Sequence, residues 1–294
     1  MIPYNDKLWL PAIFSFHRAD TVRRLAPLLL AMLAYTTLIA VVVLEVQHLS
    51  GPADWSNVAV MHSLLGFVIS TLLVFRTNTA YDRWYEGRRL WGQLVNSSRS
   101  LAIKLRALLP ADAATERAFF RERIPAVAAA LAVHLRDEAL APDQPEQPDA
   151  PITALPPAGH HAPNYAIASL YTHLSQLCRA GVLTANDLLL INPEITAFSD
   201  VVGACERIRA TPIPYSYSSF LKKFIVIYCL TLPFGYVMSL HYWVVPVVTF
   251  IFYVLASLEQ IAEEIEEPFG LDDNDLPTDE IAAGIRRVVG QTLG

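Results

Sequence analysis

Charge is distributed very unevenly along this chain, and four stretches are almost free of it. Leu25 to Val46 carries one charge, Glu45, near its far end, and Val58 to Phe75 carries none. Phe224 to Leu240 and Trp243 to Leu258 are also uncharged, separated only by the short turn at His241 and Tyr242. A hydrocarbon core of roughly 30 Å takes about 20 apolar residues in a helix. The pattern therefore predicts an all-α membrane protein with four transmembrane helices in two hairpins.

The second stretch ends abruptly. Arg76, Asp82, Arg83, Glu86, Arg88 and Arg89 arrive within fourteen positions after Phe75, with His62 near the other end of the span. A membrane helix continuing past the bilayer as a charged helix has this composition. The first loop, at residues 47–57, combines Ser-Gly-Pro turn chemistry with Trp55, a residue type favoured at the lipid headgroup level.

The remaining segments are polar. Residues 1–24, with Trp9, Phe14, Phe16, Arg18, Arg23 and Arg24, read as an amphipathic lead-in at the membrane surface. From residue 93 to about 220, apolar residues at helical spacing predict further helices, with Pro125 a kink and the Thr-Pro-Ile-Pro run at 211–214 a stop. Residues 141–163 hold seven prolines and read as a loop, in which His160 and His161 are expected to be solvated rather than to bind metal. The domain plan is 1–24 as the lead-in, 25–75 as the first hairpin, 76–223 as a helical cytosolic domain, 224–258 as the second hairpin and 259–294 as an acidic tail ending in a short helix.

Cations set the orientation. No Lys or Arg occurs from Leu25 to Phe75 or from Phe224 to Gly284, whereas Arg18, Arg23, Arg24, Arg76, Arg83, Lys222 and Lys223 flank the outer ends of the hairpins. The positive-inside rule then predicts cytoplasmic termini, a cytoplasmic polar block and insertion in the inner (cell) membrane.

Composition narrows the function. Of the 294 residues 53% are hydrophobic and 17% charged, and the net charge is −6. A nucleic-acid partner is not expected, because a phosphate backbone is bound through clustered Lys and Arg. Cys178, Cys205 and Cys229 are widely spaced and odd in number, which argues for free thiols over a disulfide framework or zinc site. No signal-peptide cleavage pattern follows the first apolar run, so the chain is expected to begin at Met1. Metalloprotease, hydrolase, phosphate-loop and dinucleotide motifs are all missing, and Cys205 beside Glu206 has no histidine near it in sequence. An enzyme is not expected.

The stretch FRTNTAYDRWYEGRRLWG, from Phe75 to Gly92, resembles the signature that bestrophins carry at the inner end of their second membrane helix. GACERIRATPIP from Gly203, LPFGYV from Leu232 and EEPFGLDDNDLPTD from Glu266 agree in order and spacing, and the bacterial branch is the nearest match. The resemblance implies a homopentamer around one pore, lined by the second helix, above a helical cytosolic vestibule. It implies a passive channel for small monovalent ions, chloride by family. Bacterial members can instead favour sodium or potassium, and a secondary transporter is a further alternative, opposed by the absence of an inverted repeat.

Carried over residue by residue, the family's hydrophobic neck falls on Phe67, Thr71 and Phe75. Spacing of four puts them on one helix stripe, and such a constriction gates by dewetting. Thr71 departs from the family's large apolar residue. Two readings stand: its hydroxyl faces the pore and holds water, or it bonds back to a helix carbonyl. The second, cytosolic constriction falls on Asp187, with Asn186 and Leu188 as one-residue alternatives; a carboxylate ring there would favour cations, while the competing reading is a helix N-terminal Asp stabilised by the dipole.

Within the signature, Arg76, Asp82, Arg83, Glu86 and Arg88 are expected to pair with one another or across subunits rather than to relay ions. Glu264, Glu267, Asp272 and Asp275 match the calcium clasp of animal members, and their oxygens suit that ion. Two of them replace neutral amides, so a solvated acidic segment without calcium is the default and no cofactor is expected.

Overall fold

The computed structural model describes residues 20–46, 56–136 and 160–294. Most of the lead-in, the loop around Trp55 and most of the proline-rich segment lie outside these residues. The described residues form eight α-helices and no strand: α1 (Asp20–Val41), α2 (Ser56–Leu108), α3 (Ala114–Leu135), α4 (Ala162–Arg179), α5 (Ala185–Ala210), α6 (Tyr215–Leu240), α7 (Val244–Glu266) and α8 (Thr278–Leu293). A π-helical turn, Val42–Val46, extends α1, and a 3-10 turn, His241–Trp243, joins α6 to α7.

Length and composition make four runs capable of crossing a membrane: Thr21–Glu45, Val58–Leu108, Ala185–Ala210 and Tyr215–Glu266. The expected third and fourth spans lie inside the last of these, divided at His241, whose φ of 52° breaks the helix. The run Ala185–Ala210 was not among the expected spans. Its apolar side, Ile191, Ile195, Phe198, Val201 and Ile208, is buried in a protein core, and this burial accounts for its hydropathy without a bilayer.

The chain divides into two compact units. The first contains Ile2–Asp82 and Ile213–Glu266. Here α1 packs against α6 and α7, and α6 against α7, around Met32, Ile69, Leu73, Leu221, Ile225, Leu232, Val248 and Phe252. Leu30, Leu38, Val60, Leu64, Ile227 and Phe250 are exposed around this core. An apolar surface of that extent on uncharged helices is suited to lipid or to other copies of the chain. His62 is buried in this unit, with Nδ1 2.8 Å from the Val58 carbonyl and Nε2 3.0 Å from Thr231 Oγ1.

The second unit contains Arg83–Pro212 and Glu267–Gly294. Helix α3 packs against α4, α5 and α8, and Trp91, Leu94, Leu101, Leu105, Phe120, Ile124, Leu131, Leu170, Leu174 and Phe198 are fully buried at its centre. Pro125 does not end α3, which continues through it. The stop at 211–214 is present: α5 ends at Ala210 and α6 begins at Tyr215. The acidic tail exposes Glu267, Asp272 and Asp273 but is anchored by its apolar residues. Phe269 and Leu276 enter the core, Leu276 N–H donates to the Pro268 carbonyl at 2.9 Å, and the chain then forms α8.

Gly87 explains how the start of that tail lies so close to α2. A Cβ there would stand 3.1 Å from the Phe269 ring and 3.2 Å from Pro268 Cγ, so any side chain would require the ring and the proline to give way by a few tenths of an ångström.

Candidate functional site

Helix α2 is continuous for 53 residues, and its burial follows a helical period. Within the first unit His62, Ile69, Leu73, Arg76 and Ala80 form the buried stripe. Spacings of seven, four, three and four keep them on one face. Phe67 and Phe75 are on the opposite side, 73% and 60% exposed, with Thr71 half-buried between them. The chain's own core thus leaves the Phe67, Thr71 and Phe75 stripe largely open.

Thr71 Oγ1 donates to the Phe67 carbonyl at 2.9 Å, the back-bonded geometry of one of the two readings. Ser63, Ser70, Thr77 and Thr79 also donate to the carbonyl four residues earlier. A hydroxyl whose proton is used this way presents only its acceptor lone pairs outward. In this rotamer the hydroxyls offer no donor to an anion.

Three of the signature charges, Arg76, Arg83 and Glu86, find partners on other helices of the same chain. Arg76 is 1% exposed; its Nη2 is 2.7 Å from Glu266 Oε2 and its Nε 3.6 Å from Glu259 Oε2. The other oxygen of Glu266 accepts the Ile213 N–H at 2.7 Å. In the second unit Arg83 donates to the Ile208 and Thr211 carbonyls, both at 2.6 Å, and so caps the C-terminal end of α5. Glu86 accepts from Arg207 at 2.9 Å. Asp82 and Arg88 are exposed.

Asp187 lies in the first turn of α5. Gly181, at φ +74°, ends α4, and Thr184 is the N-cap of the next helix. Asp187 N–H donates to Thr184 Oγ1 at 3.2 Å, and Asp187 Oδ2 accepts the Thr184 N–H at 2.8 Å and its hydroxyl at 2.7 Å. This is a reciprocal capping box. The Thr184 hydroxyl, and then its N–H, hold the Asp187 carboxyl below its ordinary range, so it is ionised at neutral pH. Of the alternatives, Leu188 packs against the core, while Asn186 is exposed beside Leu189.

The calcium positions are distributed between the units. Glu264, in the first, pairs with Arg24 at 3.2 Å. In the second, Asp275 is buried and its Oδ2 accepts the Asp272 N–H at 2.7 Å, while Glu267 is exposed. Among the described residues one group of three metal-capable side chains converges, and it lies elsewhere: His134, His161 and Glu206. Sequence reading singled out only His161 of these, because helix packing across intervals of 27 and 45 residues brings them together. Cys205, next to Glu206, faces the core, and burial pushes its thiol up to about 12, with Glu206 and Glu86 adding to the effect. It is not a nucleophile at neutral pH.

Comparison with known proteins agrees with this architecture. Residues 1–291 match the family described as Bacterial/Fungal Bestrophin protein. An Escherichia coli K12 protein named voltage-dependent anion channel-forming protein YneE is 32% identical, covering 97% of this chain and 91% of that one. A protein of Ralstonia nicotianae with the same style of name is 34% identical over 79% of this chain and 76% of its own. Among solved structures, a mutant form of a bacterial bestrophin homologue from Klebsiella pneumoniae has a TM-score of 0.77 at 28% identity, covering 92% of this chain and all of that one. The relatives are named for channel formation rather than for an enzymatic activity. With a family match over nearly its whole length and apolar helices long enough to cross a membrane, this chain is a membrane-spanning member of the bacterial/fungal bestrophin family.

Proposed function

We propose that the chain forms a passive anion channel: a homopentamer in the inner membrane, both termini cytoplasmic, with its pore lined by the open face of α2. One observation carries the reading. In a chain whose relatives are named for anion-channel formation, Phe67, Thr71 and Phe75 stand at spacing four on the face of α2 that its own core leaves uncovered. Five copies would stack these positions as rings. Two apolar rings around Thr71 make a neck that conducts when wet and closes by dewetting, and the Thr71 oxygen lowers that barrier by accepting a hydrogen bond from water. The domain plan assigns residues 76–223 and 259–294 to the cytoplasm. The compact units change over near these bounds, at Asp82/Arg83, Pro212/Ile213 and Glu266/Glu267.

Passage of small monovalent cations is the second reading, and Asp187 favours it. If it forms the cytosolic constriction, an ionised carboxylate ring would concentrate cations and oppose anions.

The test is purified protein in a planar bilayer under a NaCl gradient. A steady current reversing near the chloride equilibrium potential supports the anion channel. Reversal near the sodium potential supports the cation reading, and transport that requires a coupled gradient would point to a transporter.

A further inference from the structure

We propose that His134, His161 and Glu206 form a binding site for a divalent transition-metal ion of the zinc class. The three side chains come from separate places: the last turn of α3, the N-cap of α4 and the C-terminal third of α5. His134 Nε2 is 2.8 Å and His161 Nε2 2.5 Å from the same oxygen, Glu206 Oε1, and the two imidazoles lie 4.4 Å apart between centroids. All three potential ligand atoms lie within 4.8 Å of one another.

The donor set selects the ion. Two imidazoles and one carboxylate are the ligands of an open zinc site, which keeps a fourth position for water, whereas calcium and magnesium take oxygen ligands. Each side chain is about a third exposed, so an ion and its water have access. A zinc ion bonds to nitrogen and oxygen at about 2.0–2.2 Å. Tetrahedral ligand atoms then stand about 3.4 Å apart, so those at 2.8 and 2.5 Å must separate by roughly 0.6 to 0.9 Å, which rotamer adjustment of side chains a third exposed can supply.

Metal binding has one identifiable cost. Without metal, His161 Nδ1 accepts the Asn164 N–H at 3.3 Å, so the ring proton is on Nε2 and donates to Glu206. Metal on Nε2 moves that proton to Nδ1 and gives up this long capping bond. Both histidines also flank residues 137–159. A metal bound to the two would tie the start of α4 to the end of α3.

Tag-free full-length protein in detergent, titrated with zinc chloride by calorimetry, tests the site. One zinc per chain is expected, with a rise in thermal midpoint. Glu206→Gln, His134→Asn and His161→Asn should each weaken binding ~10-fold or more. The last is the informative control, because Asn keeps an N-cap acceptor and the metal-free midpoint should fall only by the loss of the Glu206 contact. Cobalt chloride on the wild-type chain should give the intense visible absorption of tetrahedral cobalt, which stands even if a variant fails to fold. Absence of stoichiometric binding and of that absorption, or equal affinity in folded variants, overturns the proposal.

Discussion

Arg76 Nη2 is 2.7 Å from Glu266 Oε2, and the guanidinium is 1% exposed. The signature's first arginine joins α2 to the end of α7, where Glu259 is also 3.6 Å from its Nε. A buried charge is tolerated only with a partner, and removing one partner leaves the other desolvated.

Glu266→Gln should accordingly destabilise the protein by about 3 kcal/mol. Arg76→Ala should cost more, since it leaves two carboxylates facing each other. Thermal unfolding of detergent-purified protein measures both. A loss below ~1 kcal/mol for either would show that water or a neighbouring copy compensates.

At the neck, Phe67→Ala and Phe75→Ala should raise single-channel conductance and shorten closures, because smaller rings wet more easily. Thr71→Val removes the outward-facing oxygen at nearly the same volume and should lower conductance. Bilayer recordings unchanged in all three would place the neck elsewhere.

Asp187→Asn should move the reversal potential toward greater anion permeability under a NaCl gradient, and an unchanged potential in well-expressed protein would leave the residue as a cap alone. The acid stability of the same residue has a definite sign. Its folded pKa lies below the ordinary 3.8 because the Thr184 bonds favour the carboxylate. The resulting stabilisation is present above the unfolded value and is lost as pH falls through the depressed one. Between pH 5 and 8 the Asp187 contribution to unfolding should not vary with pH; wild type minus Asp187→Asn, followed by denaturation below pH 4, checks this.

Gly87→Ala should destabilise the second unit by ~1–3 kcal/mol, the usual range for overpacking. The added methyl group meets the Phe269 ring at 3.1 Å, and Phe269 is only 4% exposed, so the ring has little room to retreat. Earlier proteolysis at the 266–279 turn on heating would report it, and a midpoint equal to wild type would mean that the turn yields.

Much of the architecture was legible before any coordinates. Uncharged runs long enough to cross a bilayer identified α1, the first half of α2, α6 and α7, because a membrane imposes its requirement residue by residue and independently of packing. The 3.6-residue period of α2, the proline stop before Tyr215 and a capping role for Asp187 are also local properties. So are the motifs of the signature, which a family match over residues 1–291 bears out. The partners of the charges were not legible. Arg76 meets Glu266 across 190 residues and Arg83 meets Thr211 across 128, and composition offers many carboxylates and carbonyls at such distances. The folded tail shows the same limit: its charge density reads as solvated, yet Phe269 and Leu276 anchor it. Only the tertiary structure brings His134, His161 and Glu206 together, because which turns of α3, α4 and α5 adjoin depends on how apolar stripes pack.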